Sequence, residues 1–195
     1  MIGSSVFFEA LLAIVTGIAV VQLWRAGLRG SAIGLSFVAV AAALGAMLFA
    51  GIIAVDAPHA AVTRWAAVAG FPTFAGMALW RRSHAEPAWP LSLAIIGLLI
   101  AIGYVFTAPS YALVIGSIGL LCLLWLALTL LRSEPRFAAA ILIGCLLTSL
   151  AGLLIGTEGQ WGPLPRVDWY HLALSIANLA FGWSLSGSIG PDSRR

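Results

Sequence analysis

Seven stretches of mostly apolar residues, each long enough to cross a bilayer as a helix, dominate this sequence. They cover about 5–24, 31–55, 60–80, 88–107, 110–131, 137–156 and 169–187. About 20 such residues span the hydrocarbon core. The chain is 62% hydrophobic and only 9% charged, against roughly 25% charged in a soluble domain. So few charges cannot cover a water-facing surface. The expected fold is all-α: one seven-helix transmembrane bundle filling residues 1–195. Short connections make consecutive helices antiparallel neighbours. The first stretch lacks a basic leader and is long enough to span, so it reads as a helix and not as a signal peptide.

Arginine placement sets the expected orientation. Arg25 and Arg29 follow the first span, Arg81 and Arg82 the third, Arg132 and Arg136 the fifth, and Arg194 and Arg195 end the chain. With seven spans all of these share one side, while Arg64 and Arg166 fall on the other. By the positive-inside rule the N-terminus is outside and the C-terminus cytoplasmic, as expected of a protein of the bacterial inner membrane. Trp24, Trp80 and Trp89 then mark the inner interface, and Trp65, Trp161 and Trp169 the outer one. The net charge of +3 resides in these short loops, so it does not point to nucleic acid. The absence of lysine excludes a retinal Schiff base and any lysine-dependent chemistry.

Local features are fewer. Gly30-Ser-Ala-Ile-Gly34 and Gly152-Leu-Leu-Ile-Gly156 have the small-xxx-small spacing of close helix contacts. Pro72 removes a backbone donor inside the third span and predicts a kink there. The connection 157–167, with two prolines and two glycines, predicts an irregular loop. Cys122 and Cys145 lie in apolar segments at similar depth on neighbouring expected helices; they read as two free buried thiols, with a bridge between them the alternative. No nucleotide-binding glycine loop, Gly-x-Ser-x-Gly or His-Glu-x-x-His sequence is present.

Polarity is concentrated at the outer half. In the last span Asp168, His171, Ser175, Asn178 and Gly182 recur at steps of three and four, which places them on one helical face. Glu9 lies about one turn into the first span, with Ser5 and Thr16 on its face. Asp56-Ala-Pro-His59 and Asp168-Trp-Tyr-His171 repeat one Asp-x-x-His form, and Glu158 sits in the long loop. The third histidine, His84, belongs to a basic inner loop.

Carboxylates and imidazoles together are ligands for zinc, iron or manganese. In a metal site His59, His171 and Asp56 hold the ion, Glu9 and Asp168 act as catalytic carboxylates on a bound water, and Ser175 and Asn178 line the cavity below. The same residues also admit structural roles. Asp168 and Asp56 sit where helix N-caps belong, Glu9 can pair with Arg64, and Ser175 and Asn178 can bond across helices. Without metal the cluster could instead carry protons or ions, or bind a small ligand.

The layout resembles the alkaline ceramidase and adiponectin-receptor superfamily of seven-span membrane proteins, and its small bacterial relatives. The resemblance rests on Glu9, Asp56, His59, Asp168, His171 and the span count. It implies a zinc-dependent intramembrane hydrolase of a lipid amide or ester. Ser175 stands where that superfamily carries a second histidine four residues after the first. The other reading is a non-enzymatic membrane protein: a sensor of a lipid-like or small-molecule ligand, a permease-like protein, or a subunit that packs on itself or on another membrane protein.

Overall fold

The computed structural model describes residues 2–84, 89–105 and 109–188. Eight α-helices follow in order: α1 (Ile2–Arg25), α2 (Arg29–Phe49), α3 (Asp56–Trp65), α4 (Phe71–Ser83), α5 (Trp89–Val105), α6 (Pro109–Leu130), α7 (Pro135–Leu150) and α8 (Arg166–Ser188). The backbone stays helical from α3 through a π turn, Ala66–Gly70, into α4. A second π turn, Ala151–Ile155, extends α7. The described residues therefore form seven helical rods. Arg194, Arg195 and positions 88, 106 and 107 of the fourth expected span lie outside the described residues.

Four rods are long and apolar enough to cross a membrane by length and composition: Gly3–Arg25, Arg29–Phe49, Ser110–Leu130 and Pro135–Ile155. Trp89–Val105 is apolar but shorter. The remaining two, α3–α4 and α8, carry His59 and the polar stripe. Large apolar side chains such as Ile14, Leu98, Leu121, Trp125, Leu146 and Leu179 face outward. A water-facing surface would not carry such a belt, and it is compatible with membrane integration.

Helix ends differ from expectation where backbone chemistry intervenes. The second span was expected to reach 55. Instead α2 stops at Phe49, where Gly51 takes a positive φ of 93°, and a short 3-10 turn, Ile53–Val55, leads into α3. Before Pro72 the ladder loosens rather than breaking: the Phe71 N–H reaches the Ala66 carbonyl, five residues back. The expected kink is thus a π turn, a local widening. The 157–167 connection is not wholly irregular, since Gln160–Trp161 (β1) pairs antiparallel with Leu164–Pro165 (β2). Trp169 Nε1 donates to the Trp161 carbonyl at 3.0 Å and fixes this hairpin to α8.

Six rods close a ring. α1 packs on α2 and α8, α2 on α3 and α4, α4 on α6, α6 on α7, and α7 on α8. α5 lies outside the ring against α2 and the first π turn, where Ile96 meets Val68 and Ala69. α1 and α8 run parallel: the pairs Ser5–Asp168, Thr16–Asn178 and Ala19–Gly182 advance together. α7 and α8 are antiparallel, Gly144 meeting Phe181 and Gly187 meeting Phe137.

Small residues permit the closest approaches. A Cβ at Gly34 would lie 2.6 Å from both the Gly70 oxygen and the Phe74 nitrogen. Ser31 Oγ donates to the Phe74 carbonyl at 3.1 Å beside it. The Gly30–Gly34 motif is therefore a helix contact. The Gly152–Gly156 motif is not, because a Cβ at either glycine would meet nothing within 4 Å.

The ring is filled at one end only. Leu23, Leu35, Phe74, Leu126, Ile141 and Phe181 are fully buried there, at the end that also carries Arg25, Arg29, Arg81, Arg82, Arg132 and Arg136. In a bilayer such packing gains van der Waals contact more than removal from water. Toward the other end, which holds the α1 N-terminus and the hairpin, the ring is left open.

Candidate functional site

That open half is a cavity of about 590 Å³, within the range of small-molecule sites. Every rod except α5 contributes to its wall. Phe71, of the aromatic run Phe71–Phe74–Phe181, stands where the packed core begins. Both π turns border the cavity, through Ala66 and Ala67 on one side and Gly152 and Leu153 on the other.

The α1, α2 and α8 side is tightly packed, and Glu9, Leu12, Ala41, His171 and Asn178 are buried there. The opposite side is open: Thr63, Ala67, Leu113, Ser117, Gly152 and Leu153 line the cavity yet are exposed. Ser117 lies about 12 Å along α6 at 1.5 Å per residue. The opening therefore extends down the side of the bundle as well as across its end.

The polar wall is built by the α1–α8 seam. The α8 stripe of Asp168, His171, Ser175, Asn178 and Gly182 is wholly buried, as its periodicity required. Ser5, Glu9 and Thr16 answer it from α1, and all three are buried. Ser5 Oγ donates to Asp168 Oδ1 at 2.7 Å. His171 Nε2 lies 3.3 Å from Glu9 Oε1. Asn178 Nδ2 donates to Thr16 Oγ1 at 2.9 Å. Gly45 of α2 leaves room for the Glu9 carboxylate, whose Cδ would be 2.7 Å from a Cβ there. Tyr170 sets its ring edge-on to His171, 5.4 Å between centroids.

Glu9, His59, His171 and Asn178 thus line one cavity. The remaining expected site residues do not. Asp56 opens α3 with its side chain exposed, away from the cavity, because the helix places it one turn before His59, toward the end of the bundle. Asp168 is fully buried and tied to Ser5. α8 begins two residues before it, at Arg166, so it is a first-turn acid joining two helices and not the N-cap. Ser175 Oγ turns back to the His171 carbonyl at 2.8 Å and is absent from the cavity wall. Glu9 does not pair with Arg64, whose Nη2 donates to the Gly103 carbonyl at 2.5 Å. Glu158 is exposed in the hairpin connection. His84 stacks on Trp80 at 4.5 Å. Cys122 and Cys145 are both free.

Among the described residues no three His, Cys, Asp or Glu side chains gather as a metal-holding group. Glu9 and His171 supply two donors in contact, His59 lines the same cavity without joining them in such a group, Asp56 is exposed, and Asp168 accepts from Ser5 instead. The donor set falls short of the three or four protein ligands that zinc takes.

Several wall residues had no distinct sequence signal. Thr148 and Ser149 interrupt an apolar span, and Thr148 Oγ1 is satisfied by the Gly144 carbonyl at 2.9 Å. Thr63 and Ser117 on the wall, and Gly45 against the Glu9 carboxylate, look like ordinary small residues of their helices. Fold and cavity together define an all-α protein with helices compatible with a membrane and a ligand-sized, polar-walled cavity. Compared with protein-family models, curated proteins and solved structures, the chain matches none.

Proposed function

We propose that this chain is a seven-span membrane protein that binds an amphiphilic, lipid-like small molecule in the cavity between its rods. Its N-terminus is outside and its C-terminus cytoplasmic, in the inner membrane of a bacterium, following the arginines gathered at one end of the bundle. The observation that carries the binding reading is the composition of the cavity wall. A mostly apolar wall ends in a buried Glu9–His171 pair at 3.3 Å, with Asn178 next along the same seam. An alkyl chain fits the first part and a polar head the second. The open side along α3, α6 and α7 gives such a molecule a route from the bilayer.

The test is extraction. Protein purified in mild detergent should release a co-purifying amphiphile into organic solvent, seen by mass spectrometry, in near-stoichiometric amount. A Leu113→Trp/Ser117→Trp variant, which fills the open side, should release much less. Equal background release from both proteins would sink the reading. Cysteines placed at Thr157 and Ser133, in a background without Cys122 and Cys145, check the orientation. Only the first should react with a membrane-impermeant thiol reagent in intact cells.

A hydrolytic reading is favoured by one observation: Glu9, His59 and His171 line the same cavity. In that reading Glu9, oriented by His171, takes a proton from a water that attacks a bound amide or ester. A distant relation to the alkaline ceramidase and adiponectin-receptor superfamily belongs with it. Its zinc-dependent form predicts metal in the wild-type protein and less in His171→Ala. Equal, negligible metal in both ends that form, and no hydrolysis of acyl amides or esters ends the enzymatic reading altogether.

A further inference from the structure

We infer that the head group the cavity accepts is a primary amine, bound as its ammonium against Glu9; this rests on the amphiphile-binding reading above. The first support is the charge of the wall. Among the described residues Glu9 is the sole Asp or Glu lining the cavity, and no arginine lines it. The chain has no lysine to supply a cation either.

Both arginines at this end of the bundle are engaged elsewhere. Arg64 donates to the Gly103 carbonyl and lies over the Tyr104 ring, 5.7 Å from its centroid. Arg166 donates to the Leu154 carbonyl. A carboxylate at membrane depth is costly and calls for a partner. Here the described residues offer it one imidazole in contact, His171 at 3.3 Å, a second on the same wall, His59, and no fixed positive charge. A carboxylate or phosphate head would add a second anion without a cation to receive it.

Hydrogen-bond polarity is the second support. With Nε2 donating to Glu9, the neutral His171 ring keeps Nδ1 as an acceptor. That atom is buried and has no partner, and His171 itself is 6% exposed. Beside the Tyr170 phenol and the His59 ring, which line the same cavity, the polar end offers two acceptors: the Glu9 carboxylate and an unmatched imidazole nitrogen. An ammonium is the complementary head, with three donors and no acceptor. An alcohol is matched in part, and a carboxylate not at all.

Three ligands of equal chain length decide the matter: dodecylamine, dodecanol and dodecanoate. Each is titrated against wild type and Glu9→Gln in phosphatidylcholine nanodiscs, with empty discs subtracted, by displacement of a fluorescent alkyl probe at pH 7.5. The expected order in wild type is amine, then alcohol, then carboxylate, with at least tenfold between the first two. Glu9→Gln should bring the amine-to-alcohol ratio to about one. If dodecanol binds wild type and dodecylamine binds no better, the amine inference falls while the amphiphile reading stands. A preference for amine that survives in Glu9→Gln likewise overturns the role of Glu9. If none of the three displaces the probe, the amphiphile reading falls and this inference with it. The wild-type comparison decides even if Glu9→Gln does not fold.

Discussion

Replacing Gly34 with alanine tests the contact on which the wall of the site depends. α2 and the α3–α4 rod meet there, and this rod carries His59 and Thr63 to the cavity. A Cβ at position 34 would sit 2.6 Å from a backbone oxygen and from a backbone nitrogen of the facing rod. Neither atom can rotate aside, so the rods must part by about 0.4 Å to restore even 3.0 Å. Overpacking of this kind costs about 1–3 kcal/mol. Alanine also gains about 1 kcal/mol over glycine in a helix interior, which masks part of the cost. The control is Gly97→Ala in α5, where a Cβ meets nothing within 4 Å and only the helix gain applies. Because that gain is common to both, the difference between the variants isolates the contact, at about 1–3 kcal/mol. Reversible unfolding in mixed micelles, titrated with a denaturing detergent, measures both. Gly34→Ala should be the less stable of the two by that amount. Equal stabilities would refute the close approach of α2 and α4, and with it the packing that closes this side of the ring.

Ser5→Ala leaves the fully buried Asp168 without its hydrogen bond, and should destabilise the protein by about 1–2 kcal/mol, between the typical intramembrane value and that for a charged acceptor; the same unfolding titration checks it, and no change would mean the seam is not held there. Gly45→Ala drives a methyl group into the Glu9 carboxylate, so it should weaken amphiphile binding as Glu9→Gln does while keeping the charge; probe displacement unchanged from wild type would contradict that placement of Glu9. Both cysteines should alkylate after denaturation without reductant, giving two added masses by intact-protein mass spectrometry, with half-buried Cys122 reacting before buried Cys145 in the native protein. A two-mass-unit deficit with no labelling would reveal a bridge instead.

The sequence by itself determined the rods. Long apolar stretches favour helices, in which each backbone group bonds within its own segment; seven expected spans correspond to seven helical rods, four of them long and apolar enough to cross a membrane. Periodicity also identified the buried face of α8, because residues three and four apart must share a face whatever lies opposite. Glu9 with Ser5 and Thr16 was legible for the same reason.

Partnership was not legible. That α1 and α8 run side by side is a matter of ring closure, and only this turned Glu9 toward His171 and away from Arg64. Asp56 and Asp168 occupy equivalent places in two Asp-x-x-His motifs, yet one is exposed and the other fully buried, since α3 begins at the open end while α8 starts inside the seam. Ser175 shares the right face but bonds its own backbone, a choice made by local rotamer and not by periodicity. The two Gly-x-x-x-Gly motifs read alike, and only the packing of α2 on α4 made one of them a contact. The cavity is likewise a tertiary fact. It exists because six rods close a ring whose side chains fill one half and not the other, a difference in summed volume that no single helix records.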